Sequence, residues 1–113
     1  MKIRKPIYEQ IIDSYIELII MGKLVKDEKI PSVRDLAKQL TINPNTVQKA
    51  YVELTSRGFF YTVLNKGNFV ADITDQLKKQ QVDNLYKKLI PIAQDLIKTG
   101  ETKQDIKKFI EEI

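Results

Sequence analysis

The side chains able to do chemistry in this chain are few, and they are of one kind. Its 113 residues include no His, Cys or Trp. Without Cys there is no disulfide framework and no thiolate. Without His or Cys the usual zinc sites cannot form, and the Ser–His, Cys–His and imidazole acid/base arrangements are missing as well. Carboxylates, lysines, tyrosines and the serines Ser14, Ser32 and Ser56 are what remain, a poor stock for an enzyme. Carboxylate pairs such as Glu111–Glu112 read as solvated charge at a helix end. One stretch is richer: Asn43, Asn45, Thr46, Gln48 and Lys49 stand close together. Asn and Gln can pair bidentately with adenine, Thr can bond a base edge or touch the thymine methyl, and Lys suits a phosphate or a guanine. Arg34 lies upstream and can reach phosphate or base. Downstream, Lys66 can follow a nucleic-acid backbone while Gly67 permits close approach in a minor groove.

Such a set works only if secondary structure holds it in register. Tyr8, Ile11, Ile12, Tyr15, Ile16 and Ile19 repeat with helical spacing, so a helix is expected from about Pro6 to Met21, with Gly22 ending it. A polar link from Lys23 to Lys29 follows, anchored by Leu24 and Ile30. Ser32 with Asp35 three residues later reads as a helix start, with Val33, Leu36, Ala37 and Leu40 as its buried stripe. Thr41–Ile42–Asn43 leaves room for only a tight turn. Asn43 as cap and Pro44 as first residue then open another helix, whose buried side is Val47, Ala50, Tyr51 and Leu54 and whose end is Gly58. Two helices joined in this way are a helix-turn-helix. Its second helix normally enters the major groove with its N-terminal end leading.

Beyond Gly58 the period changes. Phe59–Val63 is aromatic and β-branched, Leu64–Asn68 supplies turn residues, and Phe69–Ala71 returns as a second strand. A hairpin with a basic tip directly after a helix-turn-helix is a wing. Tyr8, Tyr15, Tyr51 and Tyr61 fall on apolar faces or in a strand and are expected in the core. Residues Asp72–Asp75 form a hinge, and helical spacing resumes from about Thr74 to Thr99. Val82, Leu85, Leu89, Ile92 and Leu96 step by three and four, a seam of roughly two heptads. Tyr86, Ile90, Ala93 and Ile97 widen it. Pro91 inside this pattern predicts a kink near Lys87–Leu89 or a break into two helices. Gly100 closes the segment, and Thr102 with Asp105 caps a last short helix carrying Ile106, Phe109, Ile110 and Ile113.

The charge follows the same division. The chain carries +4 overall, from 19 basic and 15 acidic residues. From Arg34 to Val70 the charged residues are Arg34, Lys38, Lys49, Arg57 and Lys66 against Asp35 and Glu53, so three of the four excess charges fall on the helix-turn-helix and wing. The basic N-terminus, Met1–Lys5, is followed by Asp13 and Glu17 rather than an apolar core. It is neither a signal peptide nor a span, and no apolar run approaches the ~20 residues that a membrane helix needs. A cytoplasmic location with no membrane association is expected.

Four blocks in order then resemble a known family. Pro6–Ile11, Ile30–Ala37, Asn43–Tyr51 continuing through Leu54 and Gly58, and Gly67–Val70 are similar to the winged-helix domain of GntR-family bacterial transcription regulators. The short remainder of the chain resembles the YtrA-like branch, whose members lack a large effector domain. The resemblance implies a homodimer through the C-terminal helices, a palindromic operator and repression, often of an operon encoding an ABC transporter together with the regulator. By position, Arg34 matches the family's DNA-contacting arginine, Asn45, Thr46 and Lys49 fall on the recognition helix, and Gly67 falls on the wing tip. Other branches often carry arginine where this chain has Pro44 and Gln48, so its base preference is expected to lean towards A·T.

The expected fold class is therefore mainly α: a winged helix-turn-helix DNA-binding domain over residues 1–72 and a two-helix dimerisation tail over residues 73–113. The expected partners are a double-stranded DNA operator and a second copy of the chain, with no cofactor or metal. The tail is too short for a dedicated effector pocket of ~300 Å³. A small-molecule effector is left unidentified, and could sit at the dimer interface, between tail and head, or not exist. Plainer readings stand beside these. Asn43–Pro44 also serves as simple capping, Arg34 as ordinary surface charge, and Lys66–Gly67 as an ordinary hairpin tip. A protein-docking module is the rival function, and would call for an apolar patch on the exposed face of the second motif helix.

Overall fold

The structure, a computed structural model, describes residues 5–113; the reading of the N-terminal stretch at Met1–Arg4 lies outside them. Five helices and one hairpin follow in order: α1 (Ile7–Ile20), α2 (Val33–Leu40), α3 (Pro44–Ser56), β1 (Phe60–Val63), β2 (Gly67–Val70), α4 (Asp75–Lys98) and α5 (Lys103–Glu111). They divide into two compact units, one ending at Thr74 and the other running Asp75–Ile113. The fold is a winged helix-turn-helix followed by two helices, as the sequence implies.

The helix ends have the expected chemistry. At α2 the Asp35 N–H donates to Ser32 Oγ (3.1 Å), and at α3 the Asn45 N–H donates to Asn43 Oδ1 (2.8 Å), with Pro44 in the first turn. Each bond satisfies a donor that the helix itself leaves open. Gly58 (φ +87°) lets the chain reverse after α3, so that the Phe59 N–H returns to the Leu54 carbonyl (2.9 Å). The turn between α2 and α3 uses the same device without glycine: Thr41 adopts φ 55°, ψ 51°, and the Ile42 N–H reaches the Ala37 carbonyl (3.0 Å).

The core of the first unit is built where the spacing places it. Ile11, Ile12, Ile16 and Ile19 of α1 pack with Leu36 and Ala37 of α2 and with Val47, Ala50, Tyr51 and Leu54 of α3. Ile30, Phe59, Phe60 and Val70 close it from the wing side. Tyr51 is buried, and Tyr8, Tyr15 and Tyr61 are partly buried. Tyr15, Tyr51 and Phe60 form a cluster of edge-to-face rings with centroids 5.2–5.9 Å apart. Leu40 departs from expectation. It is 48% exposed, because it faces α1 across an open gap rather than packing against it. There Leu40 lines an open groove of about 460 Å³ with Ile7, Ile11, Tyr15, Leu18 and Ile42.

The wing is wider than its hairpin. β1 and β2 pair antiparallel, with Phe60 opposite Val70 and Val63 opposite Gly67. The link expected to be a plain connection pairs with β2 on its other side. The Asp27 N–H donates to the Val70 carbonyl (2.8 Å), the Val70 N–H to the Glu28 carbonyl (2.9 Å) and the Ile30 N–H to the Asn68 carbonyl (3.0 Å). Lys29 thereby stands opposite Phe69.

In the second unit α4 is one continuous helix of 24 residues that includes Pro91, so of the two expected alternatives, a kink or a break into two helices, the break does not occur. Pro91 removes one hydrogen bond, to the carbonyl of Lys87. Lys87 is exposed, so water can satisfy that carbonyl while the long flanking turns hold the helix. α5 begins with a complete capping box: the Asp105 N–H donates to Thr102 Oγ1 (3.1 Å) and the Thr102 N–H to Asp105 Oδ2 (2.9 Å). The hydrogen bond from the Thr102 N–H, and after it the Thr102 side chain, hold the Asp105 carboxyl below its ordinary value. The corner between α4 and α5 forms an open groove of about 440 Å³, lined by Leu96, Ile106 and Phe109 and by the charged Glu101, Asp105, Lys108 and Glu112. Among the described residues no helix is long and apolar enough to cross a membrane.

Candidate nucleic-acid interface

α3 is fixed from behind and open in front. Val47, Ala50 and Leu54 have no exposed surface. The Tyr51 hydroxyl donates to the Pro31 carbonyl (2.8 Å) and therefore accepts from the Tyr15 hydroxyl (3.3 Å). Burial pushes the Tyr51 phenol well above its usual range. Burial likewise raises Tyr15. These groups stay neutral and structural at ordinary pH.

The opposite side of α3 exposes Asn45, Gln48, Lys49 and Val52, with Thr46 partly buried at its edge. Beside it a groove of about 340 Å³ separates the helix from the wing, lined by Gln48, Val52, Thr55, Ser56, Thr62 and Asn68. Two hydrogen bonds lie along it, Thr62 Oγ1 donating to Asn68 Oδ1 (2.7 Å) and Thr55 Oγ1 to the Tyr51 carbonyl (2.8 Å). Thr55, Ser56, Thr62 and Asn68 were not singled out from the sequence. They come from three elements, α3, β1 and β2, whose approach depends on the packing of Phe60 under α3, which no local pattern reveals.

The other sequence-derived residues divide as follows. Arg34 is exposed in the first turn of α2. Asn43 is exposed too, but its side-chain oxygen is taken by the Asn45 N–H, so the capping reading describes it. Lys49 is turned towards α1, with its ammonium 3.8 Å from the centre of the Tyr8 ring. Lys66 is exposed at the hairpin turn. Gly67 is not at the tip. It is the first residue of β2, opposite Val63, and the tip is Leu64–Lys66 with Asn65 at φ 64°. Gly67 itself has φ +117°, and a Cβ there would lie 3.3 Å from Lys29 Cε.

The tail positions Val82, Leu85, Leu89, Ile92 and Leu96 are all exposed in the single chain, by 40–56%. α5 buries none of its residues. Among the described residues no group of three or more metal-binding side chains could hold an ion.

Known proteins with this arrangement bind DNA. Residues 7–70 match the family described as bacterial regulatory proteins, gntR family. The HTH-type transcriptional repressor YtrA of Bacillus subtilis is 38% identical over 94 residues, covering 72% of each chain. A crystal structure described as a transcriptional antiterminator from Listeria monocytogenes EGD-e superposes with a TM-score of 0.81 at 38% identity, over 99% of this chain and 84% of that one. The DNA-binding domain of AraR, solved in complex with the operator ORX1, superposes on 60% of this chain and 82% of its own, with a TM-score of 0.57 at 35% identity. These likenesses, with the match over the whole helix-turn-helix and wing, answer the enzyme and docking-module alternatives: the chain is a DNA-binding transcriptional regulator of the GntR family, in its YtrA-like branch.

Proposed function

We propose that this chain is a repressor that binds a two-fold symmetric operator as a homodimer, with α3 in the major groove and the wing beside it. The observation that carries the reading is the contrast between the two sides of α3. One side is locked into the core by Val47, Ala50, Tyr51 and Leu54. The other offers Asn45, Gln48 and the edge of the groove beside the wing. Base-reading falls to Asn45, Thr46 and Gln48, with Arg34 on phosphate or base and Lys66 on the backbone. Lys49 joins them by leaving the Tyr8 ring. Asn43 contributes by fixing the start of α3, and Gly67 by shaping the wing. Asn and Gln on this surface favour adenine, which supports an A·T-leaning half-site.

The homodimer reading rests on the tail. A seam of five apolar residues left open on one helix is more surface than a soluble monomer normally shows, and a second copy covers it with the same seam. The two helices of the tail then serve as the dimerisation segment, beyond a boundary near residue 72. Repression is supported by the name of the Bacillus subtilis relative, and control of a transporter operon by the branch. A cytoplasmic location goes with both.

Selection from a randomised duplex pool, followed by footprinting, tests the function. The expected product is an inverted repeat with half-site centres a whole number of helical turns apart, about 34–36 Å per turn. Failure to enrich any sequence overturns the reading, and a G·C-rich core half-site overturns the A·T preference.

A further inference from the structure

The basic residue best placed beside the wing lies in neither the helix-turn-helix nor the hairpin. Lys29 belongs to the link after α1, and its pairing opposite Phe69 puts it on the outer edge of β2. Side chains two apart share a face of a strand, so Lys29, standing opposite Phe69, can run along that face to Gly67. It does so: Lys29 Cε lies 3.3 Å, and Nζ 4.0 Å, from where a Gly67 Cβ would be. The lysine occupies the space left by the missing side chain, and Lys66, exposed at the turn, precedes Gly67 in the chain.

Lys29 makes no salt bridge among the described residues. The carboxylates nearest to it in sequence bond elsewhere, Asp27 Oδ1 accepting from the Tyr61 hydroxyl (2.6 Å) and Glu28 Oε1 from the Val25 N–H (3.4 Å). The ion pairs Lys5–Asp13 and Lys26–Asp72 do not involve Lys29. Lys29 is exposed. An exposed cation held along a strand edge by backbone pairing, with its stem laid over a glycine, is suited to an anion that arrives from outside.

We propose that Lys29 and Lys66 form a cationic corner around Gly67 that takes a phosphodiester of the DNA backbone, with Gly67 acting as a positioning residue for Lys29. This rests on the DNA-binding reading of the wing. It also gives Gly67 a role different from close approach to a groove: it leaves room for the Lys29 stem. A phosphate contact adds affinity without sequence preference, and adds to the number of counterions released on binding.

The test is fluorescence anisotropy of the full-length protein on its selected operator and on an unrelated duplex of equal length, across a salt series. For Lys29→Gln, the slope of log K against log salt should become shallower by about 0.9 for each protomer bound. Affinity should fall by roughly threefold to tenfold at physiological salt, alike on both duplexes. Lys29→Arg should restore the slope. Gly67→Ala should weaken binding in the parent protein and have no further effect in the Lys29→Gln background, with thermal unfolding recorded for each variant. A parental slope in Lys29→Gln overturns the phosphate site. An equal loss from Gly67→Ala in both backgrounds overturns the positioning role. If the parent protein binds neither duplex in a salt-dependent way, the DNA-binding reading itself fails, and this is seen before any variant is made.

Discussion

The Tyr51 hydroxyl donates to the Pro31 carbonyl across 2.8 Å, which ties the helix facing outward with Asn45 and Gln48 to the chain just before Arg34. One hydrogen bond thus sets the position of α3 relative to the start of α2. Tyr51→Phe leaves the Pro31 carbonyl without this donor and should lower stability by about 1 kcal/mol. The same pair predicts a pH dependence. Burial raises the folded-state phenols of Tyr51 and Tyr15 above 10.0, so the neutral forms are favoured by folding. Stability is fully present below pH 10.0 and is lost as the pH rises beyond it towards the folded-state values. Urea midpoints measured from neutral pH upward should fall above that point, with a shallower fall in Tyr51→Phe.

Arg34 is exposed in the first turn of α2 and supports no packing. Arg34→Ala should therefore leave the unfolding midpoint within about 0.5 kcal/mol of the parent. Operator binding should weaken by roughly 1–3 kcal/mol, as expected for loss of a bidentate base contact. Unchanged affinity in a titration would remove Arg34 from the interface.

Thr41 holds a left-handed conformation, φ 55° and ψ 51°, that a β-branched residue adopts only with strain. The turn between α2 and α3 forces it, because the Ile42 N–H must return to the Ala37 carbonyl. Thr41→Gly relieves the strain at some entropic cost and should stabilise the protein by about 0.5–1 kcal/mol, read as a higher thermal midpoint. A lower midpoint would show that the threonine side chain stabilises the turn.

Leu89 sits at the middle of the exposed seam of α4, 42% accessible in the single chain. Leu89→Asp places a charge where the partner helix should pack. Sedimentation should then report a monomer, and operator affinity should drop because a lone monomer reaches one half-site. A variant that remains dimeric would place the interface on another face, such as that of Phe109 and Ile110.

Much of this molecule follows from local rules. Asn43–Pro44, Ser32 with Asp35, Thr102 with Asp105, and Gly58 state where helices start and stop, because capping involves only neighbours in sequence. Val47, Ala50, Tyr51 and Leu54 declare the buried side of α3, and so its outward side, because helical periodicity is also local. The tertiary structure decided where side chains go when their partner is distant along the chain. Leu40 is uncovered because an open groove separates it from α1, and Lys49 rests on Tyr8 because α1 packs beside α3. Lys29 reaches Gly67 because a single bridge opposite Phe69 fixes the register of a link that has no period of its own. Pro91 stays within a continuous helix because the intact turns on either side outweigh one missing bond. Sequence spacing sets which face of an element is apolar; contacts between elements distant in sequence are set by packing, which the spacing within one element does not encode.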